Sequence, residues 1–442
     1  MRYLVIFLVL ISCGCGTARR IQGVADEAIL GSKDFASAHV GISIYDPAEG
    51  KYLYDYQGDK FFVPASNTKL LTCYAVMKYL GDSLPGIRYA EQAGNLIISG
   101  TGDPTFLHPD FVKQPVLEML QKNASIQYLI NPGNTFKPMG RGWAWDDYDA
   151  DYMPERSALP VYGNTAFFLY RGDSLDIMPR FLYDSSNLRH INQTFSTTAK
   201  KATRFSRKET LNAFYGTAGN ATQFPAAGEA IPFTGKSDSH TLVFIKLLAD
   251  TLKKKIMIVD GKTGSYPFRV MHSQPTDSML SIMMHRSDNF FAEQSLLMVS
   301  NERLGYMSDA KMIDTLLKSD YLDMPQKPKW VDGSGLSRYN LVSPRDFVWL
   351  LTKMKNEFAW QRITAILPTG GTGTLSSLYK QYAGRIYAKT GSLSNHLALS
   401  GYLLTRKGRT LVFSIMVNAE MAPSNNIRKG MEKFLTGIID KY

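Results

Sequence analysis

Apolar and polar residues alternate along His39–Tyr45 and again along Lys51–Tyr56, with Asp46-Pro47-Ala48-Glu49-Gly50 between them, which predicts two strands joined by a turn. Leu397–Leu404 and Thr410–Val417 repeat the pattern around Lys407-Gly408 and predict a hairpin, with a further strand over Arg385–Thr390. Helical spacing appears elsewhere. Ile21, Val24, Ala28 and Ile29 share one side of a short helix within 20–35, and Ile427, Met431, Phe434, Leu435, Ile438 and Ile439 share one face of a helix over 424–441. Thr276–Met284, Phe290–Leu304 and Pro344–Lys355 also read as helices. From Ser66 to Leu80 nearly every residue is apolar or small, with Pro64 ahead and Gly81 behind. A helix apolar on all sides belongs in a core. From about Asp82 to Pro267 the texture changes: short runs such as Asn95–Ile98 alternate with Gly, Pro, Asn and Thr, and His190–Ala230 is polar with little period. The chain therefore reads as an α/β (α+β) domain over 20–82 and 268–442, holding an antiparallel sheet flanked by helices. A region over 83–267, read as two mostly β subdomains, is inserted after the apolar helix.

The 442 residues suffice for two or three such domains. Hydrophobic residues make up 44% and charged residues 20%, as in a folded globular protein. The net charge of +11 favours anionic surroundings, but no zinc-finger spacing, long basic helix or aromatic ribonucleoprotein signature is present, and the runs Lys200-Lys201 and Lys253-Lys254-Lys255 are short, so no nucleic-acid partner is expected. Arg2 precedes an apolar run from Tyr3 to Ile11, too short to span a bilayer. Its end, Leu10-Ile11-Ser12-Cys13-Gly14, resembles a bacterial lipobox, which implies a signal peptide over 1–12, lipidation of Cys13 and a tether over 13–19. The alternatives are an ordinary signal cut near Gly16–Ala18, or Cys15 as the acceptor. The third cysteine, Cys73, falls inside the apolar helix, so no structural disulfide is expected.

Ser66 and Lys69 stand one helical turn apart at the start of that helix and share a face. A serine hydroxyl becomes a nucleophile when a neighbour takes its proton, and a lysine kept neutral by burial or a nearby cation can do so. The same spacing occurs at Ser308/Lys311 and Ser377/Lys380, so the pair gains meaning only from two partners further along the chain, Ser287-Asp288-Asn289 and then Lys389-Thr390-Gly391-Ser392. A second Lys-Thr-Gly at Lys262 precedes Ser287 and breaks that order. The ordered triplet is the signature set of penicillin-binding proteins and class A β-lactamases. It implies that Ser66 attacks a carbonyl, Lys69 accepts its proton, Ser287 relays a proton to the leaving amine, and Asn289 orients Lys69 and the substrate. Lys389 would lower the pKa of Lys69 and, with Thr390, hold a carboxylate, while Gly391 and Ser392 continue the binding strand. The backbone N–H groups of Ser66 and Ser392 would form an oxyanion hole.

Two other patterns do not match their templates. Asp332-Gly333-Ser334-Gly335 lacks the first glycine of a nucleophile elbow, and Asp147, Asp149 and Asp151 lack the glycine and glutamate of a calcium loop. The latter stretch reads as a turn or a wall of the substrate cleft. The seven histidines show no zinc-peptidase pair, so neither a metal nor a cofactor is expected.

Beyond the triplet, most of residues 36–420 resembles the D-alanyl-D-alanine carboxypeptidase/endopeptidase family, the class C low-molecular-mass penicillin-binding proteins (penicillin-binding protein 4 type). The stretches that carry this are Gly100-Thr101-Gly102-Asp103-Pro104, Trp143-Ala144-Trp145-Asp146-Asp147, Ser287–Glu293, Asp332–Leu336 and Leu367–Leu375. Thr101 departs from the family's usual glycine. Ser66 and Ser287 are 221 residues apart, and the long insertion between them is a hallmark of the family. The resemblance implies a serine β-lactamase/transpeptidase-like catalytic domain and hydrolysis of D-Ala-D-Ala bonds in peptidoglycan stem peptides, with crosslinks as a further substrate. It also implies acylation by β-lactam antibiotics, in a protein exported to the cell envelope, facing the periplasm on a lipid anchor. A serine β-lactamase is the nearest rival, with Glu155 its candidate deacylating base, although Glu155-Arg156-Ser157-Ala158-Leu159 does not fit the Glu-x-x-x-Asn loop of that family. A non-catalytic wall-binding protein of the same fold is the other.

Overall fold

The computed structural model describes residues 19–172, 174–182, 204–217, 224–235, 243–260 and 266–442. The chain divides into two compact units: residues up to Tyr74 with Leu280–Asp288 and Ile313–Tyr442, and Ala75–Met279 with Asn289–Met312. The expected signal, Cys13, Cys15, Lys200-Lys201 and the Lys262 motif lie outside the described residues.

In the first unit, five strands form one antiparallel sheet: β1 (His39–Asp46), β2 (Lys51–Tyr56), β3 (Ile386–Leu393), β4 (His396–Leu404) and β5 (Thr410–Asn418), in the order β3-β4-β5-β1-β2. The central strands are buried nearly throughout because both faces of the sheet are covered. One face presents Ile42, Ile44, Leu397, Leu399, Phe413 and Ile415 to a core that also contains Ile427, Met431, Phe434, Leu435 and Ile438. Those last residues lie on the helix Ser424–Lys441, as its periodicity predicts. Ile21, Val24, Ala28 and Ile29 join the same core, but their helix closes in a π-turn over Asp26–Leu30 and a 3-10 turn over Lys33–Phe35.

The opposite face carries a different row. Lys389 pairs with Ser400, Ser400 with Ser414, and Ser414 with Ser43, so four polar residues cross the sheet side by side. The three serines are fully buried, and their small size leaves room for backbone to pack on them. The helix Pro344–Glu357 also lies on this face. It opens with a capping box between Ser343 and Asp346, and its Leu351 carbonyl accepts from Tyr402 Oη at 2.7 Å. Gly41 is required beneath it, since a Cβ there would stand 2.5 Å from the Phe62 ring and 2.9 Å from Pro344.

The second unit is built on a five-stranded sheet in the order Ile256–Asp260, Ile126–Ile130, Asn95–Gly100, Ser83–Gln92, Arg269–Pro275. Ile126–Ile130 runs parallel to both neighbours, a pairing that needs helical crossovers. Pro115–Lys122 and Val243–Leu252 are helices here, both within the stretch that reads as mostly β in the sequence. Thr101, the residue at variance with the family's glycine, is buried and donates its hydroxyl to the Gly86 carbonyl at 2.8 Å.

Asp103, in the same turn, is fully buried; Thr105 donates to its Oδ1 from both backbone and hydroxyl, at 2.9 and 2.7 Å. Burial outweighs these bonds and the one from Ser273, and raises the carboxyl pKa to about 6. A raised carboxyl binds a proton in the folded state that the unfolded state has released. Its contribution is therefore complete below about pH 4 and lost as pH rises through 6, a change of about 3 kcal/mol. Urea titrations of Asp103→Asn and the parent at pH 4, 5, 6 and 7 check this. The variant is expected to lose less stability across that window, and equal losses in the two proteins would refute the assignment.

Candidate active site

The spacing predicts that Ser66 opens a regular helix, and the structure differs. Ser66 lies in a 3-10 turn, Ala65–Thr68, that leads into the helix Lys69–Tyr79. The cause is local: Ser, Asn and Thr prefer caps and turns, and Ala65 takes a left-handed φ of +48°. The turn is fastened to the polar row of the sheet. Asn67 Nδ2 donates to Ser400 Oγ at 2.7 Å, and Ser400 Oγ donates to Ser414 Oγ at 2.8 Å. Thr68, Lys69, Leu70, Leu71, Thr72 and Cys73 are all fully buried, so the apolar run places this helix in the core.

Lys69 Nζ donates to Ser66 Oγ at 2.9 Å and to the Ser334 carbonyl at 2.8 Å. The second partner is one that motif spacing does not reveal. Ser334 belongs to Asp332-Gly333-Ser334-Gly335, visible in the sequence only as a turn. Ser287 ends the segment after the helix Thr276–His285 with φ +60°, and its Oγ accepts from Lys389 Nζ at 2.9 Å. Lys389 also donates to the Thr390 carbonyl at 2.7 Å. Its side chain is fully buried, and burial, with the charge of Lys69 second, pushes its pKa well below the usual lysine range. The two amines resist being charged together. His285 is lowered as well, by burial first and then by Lys389, and stays neutral near pH 7.

β3 is an edge strand. Ala388 N donates to the Pro368 carbonyl at 3.0 Å, and Thr369 bridges to Tyr387, while Lys389–Leu393 has no strand on that side among the described residues. Gly391 has a steric role: a Cβ there would stand 2.6 Å from the Pro64 carbonyl oxygen and 3.1 Å from the Asn67 nitrogen. Ser392 is exposed, and Arg428 Nη2 donates to its hydroxyl at 3.0 Å, a contact from the last helix that no motif signals.

The first unit thus gathers Ser66, Lys69, Ser287, Lys389, Thr390, Gly391 and Ser392. Asn289 belongs to the second unit, where it begins the helix Asn289–Leu304 and donates Nδ2 to the Tyr152 carbonyl at 2.9 Å. Glu155, the residue a β-lactamase reading would need, is buried in that unit with Oε2 accepting from Gly235 N at 2.9 Å. Asp147 lies on a 3-10 turn, Trp145–Asp147, in keeping with the turn reading of that stretch.

A profile of the family described as D-Ala-D-Ala carboxypeptidase 3 (S13) matches residues 24–438. The D-alanyl-D-alanine carboxypeptidase of Actinomadura sp. (strain R39) is 25% identical over 90% of this chain and 81% of its own length. The D-alanyl-D-alanine carboxypeptidase DacB of Haemophilus influenzae is 21% identical over 86% of this chain and 85% of its own. The crystal structure of penicillin-binding protein 4 from H. influenzae superposes with a TM-score of 0.70 at 17% identity, covering 95% of this chain and 99% of the other, and shares the α/β penicillin-recognising fold.

The packing of Gly391 yields a test. In Gly391→Ala the new methyl must separate β3 from the Ser66 turn, and displacements near 1 Å can cost about a hundredfold in rate. Acylation of the variant by a penicillin is expected to slow by about that factor with little change in melting temperature. An unchanged rate would show that the approach of β3 to the turn does not matter.

Proposed function

Because this chain belongs to the D-Ala-D-Ala carboxypeptidase 3 (S13) family and is a serine D,D-peptidase, we propose that Ser66 is its nucleophile and that Lys69, Ser287 and Lys389 carry its protons and charges. The observation that carries this reading is the 2.9 Å contact between Ser66 Oγ and a fully buried lysine amine. Ser66 Oγ attacks the carbonyl carbon of the penultimate D-Ala as its proton passes to Lys69 Nζ. The tetrahedral oxyanion is stabilised by the backbone N–H groups of Ser66 and Ser392. As the C–N bond breaks, a proton reaches the departing amine through Ser287, which Lys389 holds in place. Water then cleaves the ester and returns Ser66 to its free form.

Lys389 and the Thr390 hydroxyl receive the substrate's terminal carboxylate, and the uncovered edge of β3 pairs with the extended peptide. Asn289 keeps its part in this reading through its place in the Ser-Asp-Asn motif. A crosslinked stem peptide presents the same D-Ala carbonyl, which extends the activity to endopeptidase cleavage. A β-lactam presents a strained amide in place of the peptide and leaves an ester on Ser66.

Mass spectrometry of the protein after incubation with benzylpenicillin, beside Ser66→Ala, tests the assignment. One adduct per chain on the Ser66 peptide, absent from the variant, is expected. An adduct on another residue, or none in folded protein, would sink it. Penicillin consumed without a lasting adduct would move the reading to a β-lactamase.

The finer location is also proposed: a lipoprotein of the cell envelope, facing the periplasm and held to the membrane through Cys13. Its support is the apolar run of residues 3–11 that ends in Leu-Ile-Ser-Cys. Labelling of growing cells with radioactive palmitate is expected to mark the protein and to fail in Cys13→Ala, which should leave the membrane fraction. Retained label in that variant would place the lipid elsewhere.

A further inference from the structure

We propose that Asp332 is a positioning residue for acyl transfer, acting through the backbone carbonyl of Ser334 on Lys69. The inference rests on the proposed roles of Ser66 and Lys69 and adds to them a residue outside the three motifs.

Asp332 is fully buried, at the start of a turn that packs against the Ser66 segment. Its carboxylate organises that turn. Oδ1 accepts from Gly335 N at 2.9 Å and from Asn340 Nδ2 at 2.7 Å, and Oδ2 accepts from Ser337 N at 2.7 Å. Charged acceptors give the stronger class of hydrogen bond, and three donors on one buried carboxylate leave the backbone between 332 and 337 little freedom. Asn340 is fixed in turn, giving a second bond to the Ser337 carbonyl at 2.9 Å and receiving one from Val331 N at 2.7 Å.

This turn touches the catalytic segment at successive points. The Gly333 carbonyl accepts from Thr72 Oγ1 at 2.7 Å, and the Ser334 carbonyl accepts from Lys69 Nζ at 2.8 Å. Gly335, with φ +88°, lies so close to the Ser66 turn that a Cβ would stand 1.9 Å from the Ala65 carbonyl oxygen. Thr72 and Lys69 sit on one face of the same helix, so two adjacent carbonyls of the turn read that face in register. Lys69 Nζ must point its lone pair at Ser66 Oγ to take a proton. Directing one N–H at a fixed carbonyl removes much of its rotational freedom and leaves the lone pair aimed. Asp332 touches neither substrate nor reacting atom; it fixes the carbonyl that aims the amine.

The test is a stopped-flow measurement of benzylpenicillin acylation that separates non-covalent binding from the first-order acylation constant, with end-point stoichiometry by mass spectrometry. Asp332→Asn keeps the size of the side chain but removes the charge from the three bonds. Its acylation constant is expected to fall ten- to a hundredfold, with non-covalent affinity and the final one adduct per chain unchanged. Asn340→Ala, which removes one donor from outside the turn, is expected to lower the same constant three- to tenfold and serves if the first variant is insoluble. A purely structural role would lower the fraction of chains that react and leave the constant of the remainder intact, and that result would overturn the proposal. So would unchanged constants in both variants beside a parent that acylates normally. A parent that takes up no penicillin would instead bring down the Ser66 reading beneath it.

Discussion

The row Lys389–Ser400–Ser414–Ser43 across the sheet is the constraint on which the rest of the site depends. Antiparallel register decides which residues stand side by side, and a slip of one residue in any of these strands would turn its member of the row to the opposite face. In the observed register the three serines make a shallow, polar floor. The Ser66 turn lies on it through the Asn67 amide, and Gly391 lets the backbone of β3 come within contact of that turn. Ser66 is thus held against the sheet, a rigid element, by one buried amide and the close approach of two backbones.

Holding two wholly buried lysines in such a place runs against their solvation. An unpaired ammonium in a dry interior is expensive, and proteins relieve the cost by releasing its proton or surrounding it with acceptors. Both remedies are present. Lys389 is pushed well below its ordinary range and bonded to Ser287 and Thr390; Lys69 is bonded to Ser66 and the Ser334 carbonyl.

Much of the first unit was legible before the structure. The hairpin over 397–417, the strands at 39–45 and 51–56 and the helix over 424–441 stand within a residue or so of where their periodicity puts them. Those signals are local and strong. The second unit was less readable. Ile126–Ile130 pairs in parallel on both sides, which requires partners far along the chain, and its crossover helices are short. Within the site, the motif serines and lysines could be named because each meets the others through its own side chain. Ser334 contributes a backbone carbonyl, which any residue type would supply, and Arg428 meets Ser392 only because the last helix packs beneath β3. Composition carries no trace of either contact. The 3-10 start at Ser66 was likewise hidden, since an apolar run announces burial without saying how the first turn is wound.

The strand order has a consequence for biogenesis. β1, near the beginning of the chain, lies between β2 and β5, so residues near 42 acquire their second neighbour only when residues near 415 have been made. The core behind them likewise joins Ile21 and Val24 to Ile438 and Ile439. Pairings of such sequence separation form late and slowly. A nascent chain that already contains every motif up to Lys389 still lacks β4 and β5, and with them the floor on which Ser66 rests. The polypeptide cannot close this sheet before synthesis is nearly complete, so the first unit is the last part of the chain to find its partners.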